Sequence, residues 1–143
     1  MKIAVASDHG GLNLKNYIIK YLKEKNIETV DFGTNDLNSC DYPIFANKVS
    51  NAVLNDGFER GILVCGTGVG MAIAANRFKG IRAVNASDTY SAKMSRLHNN
   101  SNILTLGERV VGFDLALDIV EIWLKTDFEA GRHLKRIDMI DNM

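Results

Sequence analysis

Five short runs of strand type recur along the chain, at Lys2–Ala6, Glu28–Phe32, Arg60–Cys65, about Ile81–Asn85 and Ile103–Leu106. Between them the apolar residues fall at helical spacing. Leu12–Lys25 places Leu14, Tyr17, Ile18, Tyr21 and Leu22 on one face with lysines elsewhere. Pro43, tolerated in a first helical turn, opens a helix to about Asn55. A third helix runs from the glycine-rich loop after Cys65 to about Arg77, and a fourth starts at an N-cap on Ser87 or Asp88 and ends near His98–Asn99–Asn100. Phe113–Lys125 is amphipathic through Ile119, Ile122 and Trp123, and Phe128–Ile140 is charged and partly helical. Strands that are mostly apolar on both faces and alternate with helices predict a parallel sheet covered on both sides.

With 143 residues and 46% hydrophobic content, the chain suits one domain with a sizeable core, spanning residues 1–143. The 17 basic and 17 acidic side chains balance. That balance argues against a nucleic-acid or membrane surface held by bulk charge. Cys40 and Cys65 are the only cysteines and form no CxxC pair, and the first residues run straight into a strand pattern. A cytoplasmic, reducing setting is therefore expected. Three histidines with no HxxxH spacing give no expectation of a metal site.

The chemistry concentrates at Cys65–Gly66–Thr67–Gly68–Val69–Gly70, where a strand ends in a thiol and a glycine-alternating turn leads into a helix. Such a turn presents backbone N–H groups and the positive end of the helix dipole, a setting that holds an anion and favours a thiolate. A dinucleotide fingerprint is GxGxxG after the first strand, whereas this is GxGxG after the third. The CxxxxxR loop of phosphatases needs arginine at position 71, which is Met71, and no GK[ST] follows. What remains is an anion-holding loop bearing one thiol and the Thr67 hydroxyl.

In parallel sheets ligands bind beyond the carboxyl ends of the strands. Asp8–His9 after the first strand, Asp41–Tyr42 after the second and Cys65–Gly70 after the third all fall there. Asp8 and His9 suit acid–base work, a phosphate contact or a polar turn. His98–Asn99 suits a site or an ordinary helix end. Arg132 and Arg136, one helical turn apart beside His133 and Lys135, suit a phosphate clamp or a solvated face.

Taken together, Ser7–Asp8–His9–Gly10–Gly11, Asp41–Tyr42–Pro43, Cys65–Gly70, Gly80–Ile81–Arg82–Ala83, His98–Asn99, Leu106–Gly107–Glu108–Arg109 and Gly131–Arg136 closely resemble the B-type ribose-5-phosphate isomerases. The wider group includes allose-6-phosphate and galactose-6-phosphate isomerases. The resemblance spans almost the whole chain. It implies a three-layer α/β/α Rossmann-like sandwich, with a five-stranded parallel sheet and an extended C-terminal helical segment, and a cofactor-free, metal-free interconversion of ribose 5-phosphate and ribulose 5-phosphate through an enediolate.

Carried over position by position, Cys65 is the base, and the amides of Gly66, Gly68, Val69 and Gly70 stabilise the enediolate oxygen. Asp8 and His98 assist ring opening near Thr67. Tyr42 and Asn99 contact sugar hydroxyls, while His9, Arg109, Arg132 and Arg136 hold the phosphate. The resemblance also implies a homodimer whose sites are shared between subunits, with pairing to a tetramer left open. Some relatives use a glutamate base near this loop, but no carboxylate lies between Cys65 and Ala75. Two other readings are a hexose-6-phosphate isomerase and a non-catalytic sugar-phosphate-binding regulator.

Overall fold

The computed structural model describes residues 1–143. Its strands are β1 (Lys2–Ser7), β2 (Glu28–Asp31), β3 (Arg60–Cys65), β4 (Ala83–Asn85) and β5 (Ile103–Gly107). The helices are α1 (Leu12–Glu24), α2 (Tyr42–Asn55), α3 (Val69–Ala75), α4 (Thr89–Asn99), α5 (Phe113–Lys125) and α6 (Arg132–Asp141). All strand pairs are parallel, in the order β2-β1-β3-β5-β4. The expected α/β sandwich is therefore present. No helix is long and apolar enough to cross a membrane.

The alternation of side chains along the central strands feeds two separate cores. Ile3, Val5, Ile62, Val64, Leu104 and Leu106 pack with Leu14 and Ile18 of α1 and Ile119 and Trp123 of α5. Ala4, Ala6, Leu63 and Cys65 face the other way, against Phe45 and Val49 of α2 and Met71 of α3. Small side chains on β1 in this second layer let α2 and α3 approach the sheet closely. Trp123 is fully buried and donates its indole N–H to Ser101 Oγ at 2.8 Å, so its polar atom is satisfied.

Three boundaries differ from the sequence expectation by two residues or more, for identifiable reasons. α3 stops at Ala75 because Arg77 N–H and Phe78 N–H turn back three residues to Ala74 and Ala75. β4 begins at Ala83 because Arg82 N–H is taken by the Asn102 side chain at 2.8 Å. α6 begins at Arg132, not near Phe128, because Ala130 and Gly131 both have positive φ, which no right-handed helix accommodates. Asp88, not Ser87, caps α4 by accepting Ser91 N–H. One side chain reverses expectation outright: Lys15, assigned to the polar side of α1, is fully buried. Its Nζ donates to Asp31 Oδ2 at 2.7 Å and to the Thr34 carbonyl at 2.6 Å, tying α1 to the loop after β2.

Candidate active site

The strand order contains one reversal that matters. From β1 the chain passes to β2 on one side and then crosses to β3 on the other, so α1 and α3, which follow β1 and β3, pack on opposite faces of the sheet. Such a switch point is where a ligand crevice forms in open α/β sheets. The loop after β1 carries Asp8 and His9, and the loop after β3 carries Cys65 to Gly70. Every residue of β3 is buried, which fixes the position of the thiol at its end.

Cys65 closes the upper edge of the α2/α3 core, and its Sγ accepts the Gly68 N–H at 3.1 Å. Gly68 manages this because it is left-handed, with φ of 81°. Val69 N–H donates to Thr67 Oγ1 at 3.3 Å, and Thr67 and Val69 themselves are exposed. The Gly68 N–H thus sets a backbone donor on the sulfur at the start of α3.

Close approaches at glycines gather the surrounding groups. A Cβ at Gly10 would stand 3.3 Å from Gly66 N, so the loops after β1 and β3 abut. Asp8, nearly buried, accepts Gly10 N–H at 2.9 Å and is held against this junction. The Arg109 guanidinium lies over Gly66, with Nη1 3.4 Å from a Cβ placed there, and the Tyr42 ring lies over Gly70 at 2.8 Å by the same measure. His9 turns its Nδ1 toward the loop after β2, where it accepts Cys40 N–H at 3.2 Å. That bond fixes the tautomer with hydrogen on Nε2. Asp8, His9, Tyr42, Cys65–Gly70 and Arg109 thus sit at one end of the sheet.

The other four candidates do not join them within the chain. His98 and Asn99 end α4, just before β5. β5 starts level with Gly61 and reaches Cys65 only at Gly107. Four residues of strand, roughly 13 Å, separate the two levels. Arg132 and Arg136 lie at this lower level as well, because Glu129 N–H bonds the Leu97 carbonyl and α6 packs on α4. Both arginines are exposed and neither is in a salt bridge.

A cavity of about 650 Å³ also lies at the lower level, between the Arg77–Val84 turn and the end of α6. Arg77, Lys79 and Arg82 line it, Arg82 is already bound by both oxygens of Asp141, and neither a cysteine nor a histidine lines it. That volume and the thiol loop therefore lie at different ends of the sheet.

Three residues have structural contacts that the sequence pattern does not assign. Asn85, at the end of β4, accepts Thr105 Oγ1–H at 3.2 Å and directs Nδ2 at the Thr67 carbonyl at 3.4 Å, bracing the loop from outside. Glu108 accepts N–H from Leu14 and the Asn13 amide, joining the loop after β5 to the start of α1. Their signal is weak because each reads as an ordinary polar residue at a strand end. Glu129 joins His98 and His133 in a cluster at the lower level. The two histidine rings stack at 4.4 Å, and burial together with the charges of His98 and Arg132 holds His133 below the usual imidazole pKa. The sequence spacing gives no sign of this cluster, because folding brings His98 from 31 positions before Glu129, and the three donor atoms then lie within 4.8 Å of one another.

Comparison with known proteins gives these groups a context. The Ribose/Galactose Isomerase family matches residues 3–140. Ribose-5-phosphate isomerase B of Escherichia coli is 49% identical over 139 residues, covering 97% of this chain and 93% of that protein. The solved ribose-5-phosphate isomerase B of Clostridium thermocellum is 54% identical, with a TM-score of 0.98 over 99% of this chain and 96% of that one. A Mycoplasma genitalium ribose-5-phosphate isomerase B, solved with bound ribulose-5-phosphate, is 44% identical with a TM-score of 0.93, over 99% of this chain and 94% of its own. With sequence, fold and full-length coverage agreeing, this chain belongs to the Ribose/Galactose Isomerase family.

Proposed function

We propose that residues 1–143 act as one sugar-phosphate isomerase domain that interconverts ribose 5-phosphate and ribulose 5-phosphate, with Cys65 as the base. The observation that carries this reading is the Cys65 sulfur at the end of β3, bonded to the Gly68 N–H, with the Arg109 guanidinium over the adjoining Gly66 and Asp8 held at Gly10, which meets Gly66. Relatives of nearly the same length carry the same activity in their names.

The reaction begins with the furanose ring opened, a proton transfer for which Asp8 and His98 are the available groups. Sγ of Cys65 then takes the C2 proton of the aldehyde. The electron pair of that C–H bond becomes the C1–C2 double bond, and O1 takes the negative charge. Amides of the Gly66–Gly70 loop stabilise that oxygen. Removing one such donor typically costs roughly 3–4 kcal/mol. Return of the proton from sulfur to C1, with the O2 proton passing to O1, leaves the ketose. Tyr42 and Asn99 bind sugar hydroxyls, and His9, Arg109, Arg132 and Arg136 bind the phosphate.

The roughly 13 Å between the two levels of the sheet supports a shared site, in which a second copy contributes His98, Asn99, Arg132 and Arg136. The exposed apolar residues Val69 and Ile73 on α3, beside the loop, give such a copy a surface to cover. Both cysteines are unpaired, in keeping with work in a reducing cytoplasm.

Subunit exchange tests base and sharing together. Cys65→Ala and Arg132→Ala proteins are each expected to be inactive on ribose 5-phosphate. Mixed in equal amounts and allowed to exchange, they regain about a quarter of wild-type turnover, since half the dimers then hold one intact site. A Cys65→Ala protein that turns over like wild type refutes the base, and a silent mixture refutes the shared site.

A further inference from the structure

We propose that His98, Glu129 and His133 form a binding site for a divalent transition ion such as Zn²⁺, and that occupation of this site reversibly inhibits the enzyme. His133 Nε2 is enclosed, with the residue 3% exposed, yet it has no hydrogen-bond partner. Buried ring nitrogens are almost always satisfied, so an orphan aimed at other donor atoms calls for an occupant. Glu129 Oε2 lies 3.6 Å from it, too far for a hydrogen bond, and 4.0 Å from His98 Nε2. All three donor atoms fall within 4.8 Å of one another.

Tetrahedral zinc, with bonds of about 2.0–2.2 Å, needs donor atoms roughly 3.3 Å apart. Each donor must close by about half an ångström, and the rings, now only 16° from parallel, must tilt so that both planes contain the ion. The mobile partners are the right ones. His133 is held in the interior, whereas His98 and the Glu129 side chain are substantially exposed and free to turn. The backbone supports the cluster, because Glu129 N–H is bonded to Leu97 and His133 N–H to Ala130.

The surroundings also select the ion. Arg132 and Arg136 make the region electropositive and oppose a hard ion bound by charge alone, such as Mg²⁺ or Ca²⁺. An ion whose affinity comes from imidazole coordination is disfavoured much less, so Zn²⁺, Co²⁺ and Ni²⁺ are the candidates. Three protein ligands leave one position for water. The inhibitory half of the proposal rests on the functional reading above, because the ion removes His98 from the sugar-phosphate site.

The test separates the two halves. Titrating the metal-free wild-type protein with Co²⁺ should give the intense visible bands of a tetrahedral site. Glu129→Gln, which alters an exposed side chain outside the isomerase machinery, should weaken binding at least tenfold while keeping basal turnover. Zn²⁺ should inhibit the wild type, EDTA should restore it, and Glu129→Gln should be insensitive at the same concentration. His133→Gln serves as a second variant that loses the Co²⁺ spectrum. No Co²⁺ spectrum in the wild type, or an unchanged one in both variants, overturns the site. Zinc inhibition undiminished in Glu129→Gln places the effect elsewhere, such as on Cys65, and overturns the regulatory half. A metal-free wild type without turnover defeats the isomerase reading alone, since the Co²⁺ spectrum is independent of activity.

Discussion

Replacing Gly68 with alanine isolates the contribution of loop geometry to turnover. Gly68 has φ of 81°, where an L-residue costs roughly 1–2 kcal/mol. The added Cβ would also stand 2.3 Å from Asn85 Oδ1 and 2.9 Å from the Leu106 carbonyl carbon. Asn85 can swing away, at the expense of its bonds to Thr105 and Thr67, each worth about 1 kcal/mol. Leu106 cannot yield, because it is fully buried in β5 and paired with Val64.

The loop must therefore retreat by about half an ångström, taking the Gly68 N–H away from the Cys65 sulfur. A 1 Å misplacement at a reacting centre costs about 100-fold. Gly68→Ala should accordingly lower kcat about 10- to 100-fold with little change in KM for ribose 5-phosphate, and lower stability by about 2–4 kcal/mol in urea unfolding. Gly57→Ala is the control. It carries a similar φ of 74° with nothing within 4 Å of the new Cβ. It should lose only the backbone part, about 1–2 kcal/mol, at unchanged kcat. Wild-type kcat in Gly68→Ala, or equal loss of kcat in both variants, would refute the coupling between the left-handed turn and the base.

Two further predictions concern stability. Asp31→Asn leaves the buried Lys15 ammonium without its counter-charge and should cost about 3–5 kcal/mol, whereas Lys15→Met leaves only a partly exposed carboxylate and should cost less; urea midpoints in the reverse order would contradict this account of the pair. For His133, whose imidazole pKa is lowered in the folded protein, the unfolded chain binds a proton that the folded one refuses. Stability from this residue is therefore complete above the unfolded value of about 6.5 and is lost as pH falls from there to the folded value. Unfolding free energy measured from pH 8 to pH 5 should fall more steeply for the wild type than for His133→Gln, and parallel curves would remove the linkage.

How much of this could be read from the chain depends on the range of the interaction. β3 and α5 have the bounds their sequences predict, because an unbroken apolar run and an amphipathic repeat are local signals. The loop at Cys65 is legible for the same reason: thiol, glycines and helix start are adjacent in sequence. Lys15 is misread because its position on α1 says nothing about Asp31 and Thr34, which arrive from the next strand and loop. Asn85 and Glu108 act through contacts made only when β4, β5 and α1 assemble.

The strand order itself is the largest non-local fact, and it decides the site. With β3 crossing to the far side of β1, the thiol loop and Asp8 border one crevice while His98 and the arginines are left at the opposite end of the sheet. The order of the motifs says nothing of this distance, and only the resemblance implies that the fourteen candidates are shared between subunits. The fold leaves them at two levels of the sheet, which supports the proposal that a second copy of the chain brings Arg132 and Arg136 to the Cys65 loop. It also explains how a metal-ligand cluster can form beside the arginines without disturbing the sulfur in the same chain.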